Sequence, residues 1–503
     1  MLFNICRREI RRLGLILLVL WALPVALQAQ FFYSTNNGVV TVTGYSGPGG
    51  VVTIPATVGG LPIVSIASQA FEEKTSITNL VVGTNVTNIG DYAFDFCFNL
   101  TNVTLPNSLT TIGEGTFAEC GLISATIPDS VSSLGIAAFS TCPYLRSVTI
   151  STNLNSLPQN TFYNCPDLTS ATIPESVTSI GEDAFSGTGL TSVSVPTNVI
   201  SLGVAAFEGC SSLTNVTLPA SVTSIGENAF SVCPALKAIN VDPANPDFSS
   251  VAGVLFNQNQ TILIQAPEDL TGSYTVPGSV TTIGSYAFAF CPKLTGITLG
   301  TNITTIDGYA FDYSALSSIT LPDSLTNIQA EAFDECTNLS SVSIPDSVTS
   351  IGEEAFTFCL FKSVTIPASV TSLGDSAFEA CFNLQSIYCL GNEPAAGITV
   401  FDNVSPTAVV YYLAGTTGWG PVYSFLPTEL LNPISGIGLN NNQFGFTISG
   451  TNSQVITVEA STNLTNPNWQ PLETNTLNGS SLHFTDPQWG NYPRRFYRVV
   501  FLP

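Results

Sequence analysis

An Ala-Phe or Thr-Phe pair returns along this chain at a fixed step. Phe71, Phe94, Phe117, Phe139, Phe162, Phe185, Phe207 and Phe230, then Phe288, Phe311, Phe333, Phe356 and Phe378, follow one another at 22 or 23 residues, except for one gap of 58 between Phe230 and Phe288. A unit this short cannot bury its own apolar residues. A fixed period in this range therefore calls for a solenoid, in which each unit is stabilised by stacking on its neighbours. Aligned on these thirteen phenylalanines, the text converges on LxxVTIPxSVTSIGxxAFxxC, with constant apolar positions and small polar residues between them.

Within the unit, LTSVTIP alternates as a short strand does, with Val and Ile on one side and Ser and Thr on the other. Stacked in register, such strands make a parallel sheet with about 4.8 Å between coils. Proline ends the strand and turns the chain, SVTSIG supplies a second extended piece, and xxAFxxC is expected to be a tight turn or short helix that places Phe in the core. Acidic residues open this last piece at Asp91, Glu114, Glu182, Glu227, Glu353 and Asp375. At that place they suit exposed amides and the positive end of a helix dipole, and they are read as structural rather than as a catalytic or metal-binding row.

The phrase SIGxxAFxxCxxLxxVxIP resembles the BspA-like class of leucine-rich repeat found in bacterial surface antigens, over residues 32 to about 432. The resemblance implies a leucine-rich-repeat solenoid of short parallel β-strands with turns or short helices, and a role in binding host or matrix proteins. GVVTVTGYSGPGGVVTIPATVGGLPIVSIASQAF is similar to the family's opening segment, so residues 30–70 are expected to cap the first apolar edge and 71–390 to form the repeats. Residues 241–277 resemble an irregular coil, with GVLF and TILI as strands around NQNQ. Residues 391–432 are expected to close the solenoid. From 433 to 503 the text changes to short strands with Asn/Gly turns, the pattern of a small sandwich-like β module.

Only 9% of the residues are charged, against about 25% in an average chain, so uncharged Ser, Thr, Asn and Gly must cover the surface. Residues 1–29 read as a secretory signal: a basic start at Arg7, Arg8, Arg11 and Arg12, an apolar run, and a cleavage point after Ala29. Removing those four arginines and Glu9 takes 12 basic and 35 acidic residues to 8 and 34, a net charge of −26. That argues against nucleic acid as a partner, and no later stretch is apolar for long enough to span a bilayer. The expected location is secreted or at the cell surface.

Ten cysteines stand three residues after the marker Phe: Cys97, Cys120, Cys142, Cys165, Cys210, Cys233, Cys291, Cys336, Cys359 and Cys381. One per coil in a single column is not the convergent spacing of a zinc site, and side chains in register point in parallel rather than at each other. They are expected to be buried thiols that pack as small hydrophobes. His483 is the only histidine, which leaves the repeats without a His-dependent catalytic group. The acids look spread by repetition rather than gathered, so neither a catalytic nor a metal site is assigned, no cofactor is expected, and the chain is read as non-enzymatic.

The outward strand positions offer a candidate binding face: Thr104, Thr126, Thr149, Thr172, Ser194, Thr217, Thr298, Thr320, Ser343 and Thr365, interrupted at Val81, Asn240 and Tyr388. Its expected ligand is an extracellular protein or polysaccharide. Two other readings stay open. A carbohydrate-active enzyme or its accessory module would gather carboxylates beside the 241–277 insertion, and an ice-binding protein would use the regular Ser-x-Thr rows, although the breaks and the usual curvature of such repeats count against a flat lattice match.

Overall fold

The computed structural model describes residues 30–413, 416–431, 434–440, 443–449, 455–463, 468–477 and 481–502; the expected signal segment lies outside them. The described residues form two compact units, one of residues 30–270 with 286–291, the other of residues 271–285 with those from 292 to 502. Among the described residues there is no α-helix, only strands of two to seven residues and one 3-10 turn at Trp489–Asn491.

In the first unit each coil has three arms. The first is the VTIP strand, in parallel register from coil to coil: Ser124, Ser147 and Ser170 align, as do Thr126, Thr149 and Thr172, while Ala125, Val148 and Ala171 between them face inward. After most of these strands a proline carbonyl accepts the amide three residues on, as Pro106 does from Leu109 and Pro128 from Val131, so the chain turns without needing the donor that proline lacks; Gly83 and Ser151 take the same place in two coils. The second arm is the two-residue strand Ser179–Ile180 and its equivalents Ser201–Leu202 and Ser224–Ile225, again parallel. Its following glycine passes close to the coil before: a Cβ on Gly135 would lie 2.2 Å from the Glu114 nitrogen, and one on Gly226 2.3 Å from that of Val204.

The third arm, xxAFxx, is a run of turns rather than a helix. Tyr92, Phe94 and Phe96 donate their amides to the Glu114, Thr116 and Ala118 carbonyls of the next coil, at 2.7, 2.9 and 3.2 Å. The alternating amides close turns within the coil, Asp95 to Tyr92 and Cys97 to Phe94. Tyr92 and Phe96 hold φ of 55° and 57°, and left-handed residues recur two before and two after the marker Phe in other coils. That conformation costs about 1–2 kcal/mol for an L-residue; the inter-coil bonds it permits offset the cost. A helix would have turned those amides back on its own chain.

The marker phenylalanines are fully buried and stacked. Ring centroids are 4.8 Å apart for Phe71–Phe94, 5.4 Å for Phe185–Phe207 and 5.7 Å for Phe207–Phe230 in the first unit. In the second they are 5.0 Å for Phe311–Phe333 and 5.3 Å for Phe356–Phe378. The second stack runs on to Phe401, 5.6 Å from Phe378, inside the segment expected to close the solenoid. In the first unit Tyr45 covers Phe71 at 5.5 Å.

All eleven described cysteines are buried and unbridged. Nine of the ten column thiols donate to the carbonyl of the previous coil's marker Phe, among them Cys97 to Phe71 at 3.2 Å, Cys120 to Phe94 at 3.2 Å, Cys233 to Phe207 at 3.2 Å and Cys381 to Phe356 at 3.1 Å, while Cys291 faces the Pro267 carbonyl at 4.0 Å. Where the column lacks cysteine, Thr188 donates to the Phe185 carbonyl at 2.8 Å and meets Cys210 Sγ at 3.2 Å, and Ser314 meets Cys336 Sγ at 3.3 Å. Burial pushes the Cys97 and Cys389 thiols up to about 12, which leaves little reactive thiolate.

The irregular coil of the first unit has the antiparallel strands Phe248–Val251, Val254–Asn257 and Ile262–Gln265. Buried Asn245 joins it to the preceding coil: Nδ2 donates to the Pro219 and Val222 carbonyls, and Oδ1 accepts from the Asp247 and Phe248 amides. Glu268, 3% exposed, accepts from the Val232 and Cys233 amides and leaves Oε1 without a hydrogen-bond partner. Burial, opposed by those amides and helped by Glu208, pushes its carboxyl up to about 7.

The terminal module has two three-stranded antiparallel sheets, one of Ile434–Asn440, Gln443–Ser449 and Ser481–Asp486, the other of Gln470–Thr476, Val455–Ser461 and Phe496–Leu502. Phe446, Ile448, Ile456, Val458, Leu477 and Phe484 form its core. Asp486 accepts from Tyr497 and pairs with Arg495, each at 2.8 Å.

Three outcomes are expected. Phe207→Ala should destabilise the protein by about 3–5 kcal/mol, as removal of a fully packed aromatic ring does, read as a lower urea midpoint. Thiol titration of denatured residues 30–503 without reductant should find eleven thiols; one or none would show that the column is oxidised. Glu268, with a folded pKa of about 7 above an unfolded value near about 4.3, holds more protons folded than unfolded in that window, so its contribution is complete below the unfolded value and lost as pH rises through the folded one. Melting curves of Glu268→Gln should accordingly show a flatter pH dependence between those values and a higher midpoint at alkaline pH than the parent.

Candidate functional site

The ten hydroxyl residues singled out in the sequence lie on the first arm, Thr104 to Thr217 in the first unit and Thr298 to Thr365 in the second. All are exposed except Thr365, which is half-buried. Register aligns them in columns: Val81 with Thr104, Thr126 with Thr149 and Thr172, Ser194 with Thr217 and Asn240; in the second unit, Thr275 with Thr298, Thr320 with Ser343, and Thr365 with Tyr388. The breaks at Val81, Asn240 and Tyr388 thus stand in line with the columns. Tyr388 stacks on Tyr411 at 5.4 Å, so the second-unit column passes into a half-exposed aromatic pair.

A second set of threonines behaves differently. Thr110 donates its hydroxyl to the Thr87 carbonyl at 2.9 Å, Thr178 to Asn155 at 3.0 Å, and Thr304 to Thr281 at 3.4 Å, each reaching one coil back. Those hydroxyls belong to the scaffold. Thr126, Thr149, Thr172, Thr217 and Thr320 make no such bond among the described residues, so both their donor and their acceptor capacity face solvent.

The acids require a correction to the sequence reading. Asp91 accepts the Glu114 amide at 2.9 Å and Asp375 the Ile398 amide at 2.7 Å, so these two do satisfy exposed amides, but of the next coil's turn and not of a helix. Others are gathered rather than spread, because stacking turns residues 22 or 23 apart into neighbours. One carboxylate oxygen from each of Glu331, Asp334 and Glu354 lies within 4.8 Å of the others. Burial first, then neighbouring carboxylates, push Asp312 up to about 7; Asp334 rises to about 6, again chiefly by burial. In the first unit the Glu208 charge acts on Glu268 beside the irregular coil, while the charge acting on Glu208 is that of Asp183.

The first unit also has a groove of about 500 Å³ lined by Asn160, Tyr163, Asn164, Asp183 and Glu208. It opens where Gly187 and Gly209, both left-handed, occupy positions that carry Glu119, Tyr313 or Phe358 in other coils. Sequence reading missed this notch, although two successive glycines two residues after the marker Phe were its signal. His483 lies on an exposed strand edge of the terminal module, with Nδ1 3.2 Å from Thr447 Oγ1 and no carboxylate partner among the described residues.

Among solved structures, a leucine rich cell surface protein from Faecalibacterium prausnitzii is 27% identical with a TM-score of 0.53, and the match covers 77% of this chain and 94% of that one. The pneumococcal vaccine antigen PcpA is 20% identical with a TM-score of 0.42, covering 80% of this chain and 98% of its own. A leucine-rich repeat protein from Bacteroides ovatus is 21% identical with a TM-score of 0.38, covering 76% and 98%. No match is found among curated proteins. A family model described as "BspA type Leucine rich repeat region (6 copies)" matches residues 64–189, 178–273 and 268–385, more than half of the chain. With that match and the stacked coils built on its repeat, the chain belongs to the BspA type leucine rich repeat family.

Proposed function

We propose that this chain is a non-enzymatic binding protein, exported to the cell surface or beyond it, and that the first-arm hydroxyl columns are its contact surface. One observation carries the reading: the outward threonines form an uncharged, in-register array whose hydroxyls have no partner among the described residues, whereas the scaffold threonines are satisfied one coil back. Such an array suits ligands that offer repeated hydrogen-bonding groups, namely extended polypeptide or polysaccharide. The cell-surface description of the Faecalibacterium protein supports the location.

The Tyr388–Tyr411 pair beside Thr365 favours polysaccharide within this reading, since a sugar ring can lie on an aromatic face while its hydroxyls meet threonine. Glu208, whose charge acts on Glu268 beside the irregular coil, lends less to a carbohydrate-active enzyme. Glu268 is buried and held by two backbone amides, whereas glycoside hydrolysis needs two carboxyls reaching the scissile bond.

The test is binding of the whole protein to immobilised matrix proteins and cell-wall polysaccharides. With Thr149, Thr172 and Thr217 changed to Lys, saturable binding should weaken tenfold or more at an unchanged melting temperature, by about 1.4 kcal/mol for each factor of ten. Undiminished binding by this variant would move the contact surface away from the columns, and thermal hysteresis in the purified protein would replace the reading with ice binding.

A further inference from the structure

The turn arm of the second unit carries charge that the repeat does not require. One residue after the marker Phe the chain has Ala118, Ser140, Ser186 or Ser231 in some coils and an acid in others, at Glu72, Asp95, Glu208 and Glu379 and, in two successive coils here, at Asp312 and Asp334; two residues before the marker stand Glu331 and Glu354. Only the Phe333 coil is acidic at both positions. Stacking then draws one oxygen from each of Glu331, Asp334 and Glu354 within 4.8 Å of the others. Metal–oxygen bonds of about 2.3–2.6 Å place the oxygens around a Ca²⁺ ion no more than about 5 Å apart, so the three can share one ion. Tyr309 donates its hydroxyl to Glu331 Oε1 and fixes that side chain.

A separate observation lies one coil back. Asp312, in the same column as Asp334, is 5% exposed, and its Oδ1 has no hydrogen-bond partner. The Asp334 Oδ1 is buried without a partner as well. Each aspartate is held by the amide of the residue after it, Tyr313 or Glu335, and the charge acting most on Asp312 is that of Asp334, followed by Glu331. The Tyr313 amide donates to the Asp334 carbonyl at 3.0 Å, which sets the buried, unsatisfied oxygen of Asp312 in the coil stacked directly on that of Asp334. Among the described residues no lysine or arginine forms an ion pair with any of these four acids. Stacked, unpaired, buried carboxylate oxygens are costly, and either protonation or a bound cation relieves that cost.

We propose that Glu331, Asp334 and Glu354, with Asp312 beneath them, bind a single divalent cation of the hard, oxygen-preferring class, Ca²⁺ foremost. The donor set is all carboxylate, without the thiolate or imidazole that would favour zinc, and water completes the shell. The ion joins the Phe311, Phe333 and Phe356 coils through their turn arms, beside the backbone hydrogen bonds, ring stacking, thiol contacts and the Tyr309–Glu331 bond that already link them.

The test uses residues 30–503 stripped with a chelator, titrated calorimetrically with Ca²⁺ and separately with Mg²⁺, and melted with and without each. Expected are one Ca²⁺ per chain with a dissociation constant on the order of 10⁻⁴–10⁻³ M, as in extracellular calcium modules, and a higher melting temperature. Glu331→Gln with Glu354→Gln should weaken binding at least tenfold while retaining the parent circular dichroism; Asp129→Asn with Glu175→Gln, exposed acids elsewhere, should leave it unchanged. No saturable heat and no thermal shift up to about 10 mM Ca²⁺ would overturn the proposal. So would equal loss of binding in both variants, or undiminished binding in the first, since the ion would then reside elsewhere on an acidic surface.

Discussion

The stacking of one phenylalanine on the next is the interaction on which the rest of this structure depends. A coil of 22 or 23 residues has no interior until a second coil lies on it, and the rings about 5 Å apart are where that interior forms. Around the ring the coil invests its polar groups in the same interface. The marker Phe donates its amide to the next coil, its carbonyl accepts a thiol from that coil, and left-handed residues on either side repeat the amide bond. Cohesion is therefore almost wholly between coils, which explains why so little of it needs charge.

Much of this was legible in the sequence, because a solenoid writes its contacts as a period. The spacing of Phe and Cys announced both buried columns, and the alternation in VTIP announced the inward and outward faces. GVLF and TILI were recognisable as the paired strands of the irregular coil. The third arm was less legible. Whether xxAFxx would be turn or helix depended on where its amides go, and they go to a neighbour 22 residues away. Phe401 escaped because Val400 replaces the usual small residue before it, although ring stacking continues unbroken. The acids were misread for a related reason: Glu331 and Glu354 look distant in a line of text and are adjacent once the line is coiled.

The same logic separates two kinds of threonine that composition cannot tell apart. Thr110 and Thr178 reach back along the stack and spend their hydroxyls on the previous coil, whereas Thr149 and Thr172 look outward and spend none. The first kind is part of what makes the coils adhere to each other. The second kind, nearly free of charge and repeated at the strand spacing, is what the scaffold leaves unused.

Because each coil ends in the surface with which the next one begins, a whole coil is an interchangeable piece. Duplication or loss of 22 or 23 residues leaves every remaining Phe with a ring above and below it, and lengthens or shortens the outward array by one row of about 4.8 Å. Growth by a fraction of a coil breaks the amide ladder and must be repaired locally, as Asn245 does for the irregular coil with four hydrogen bonds. In genetic terms, this architecture lets recombination between near-identical repeats alter the protein's reach in whole steps while its manner of folding stays the same.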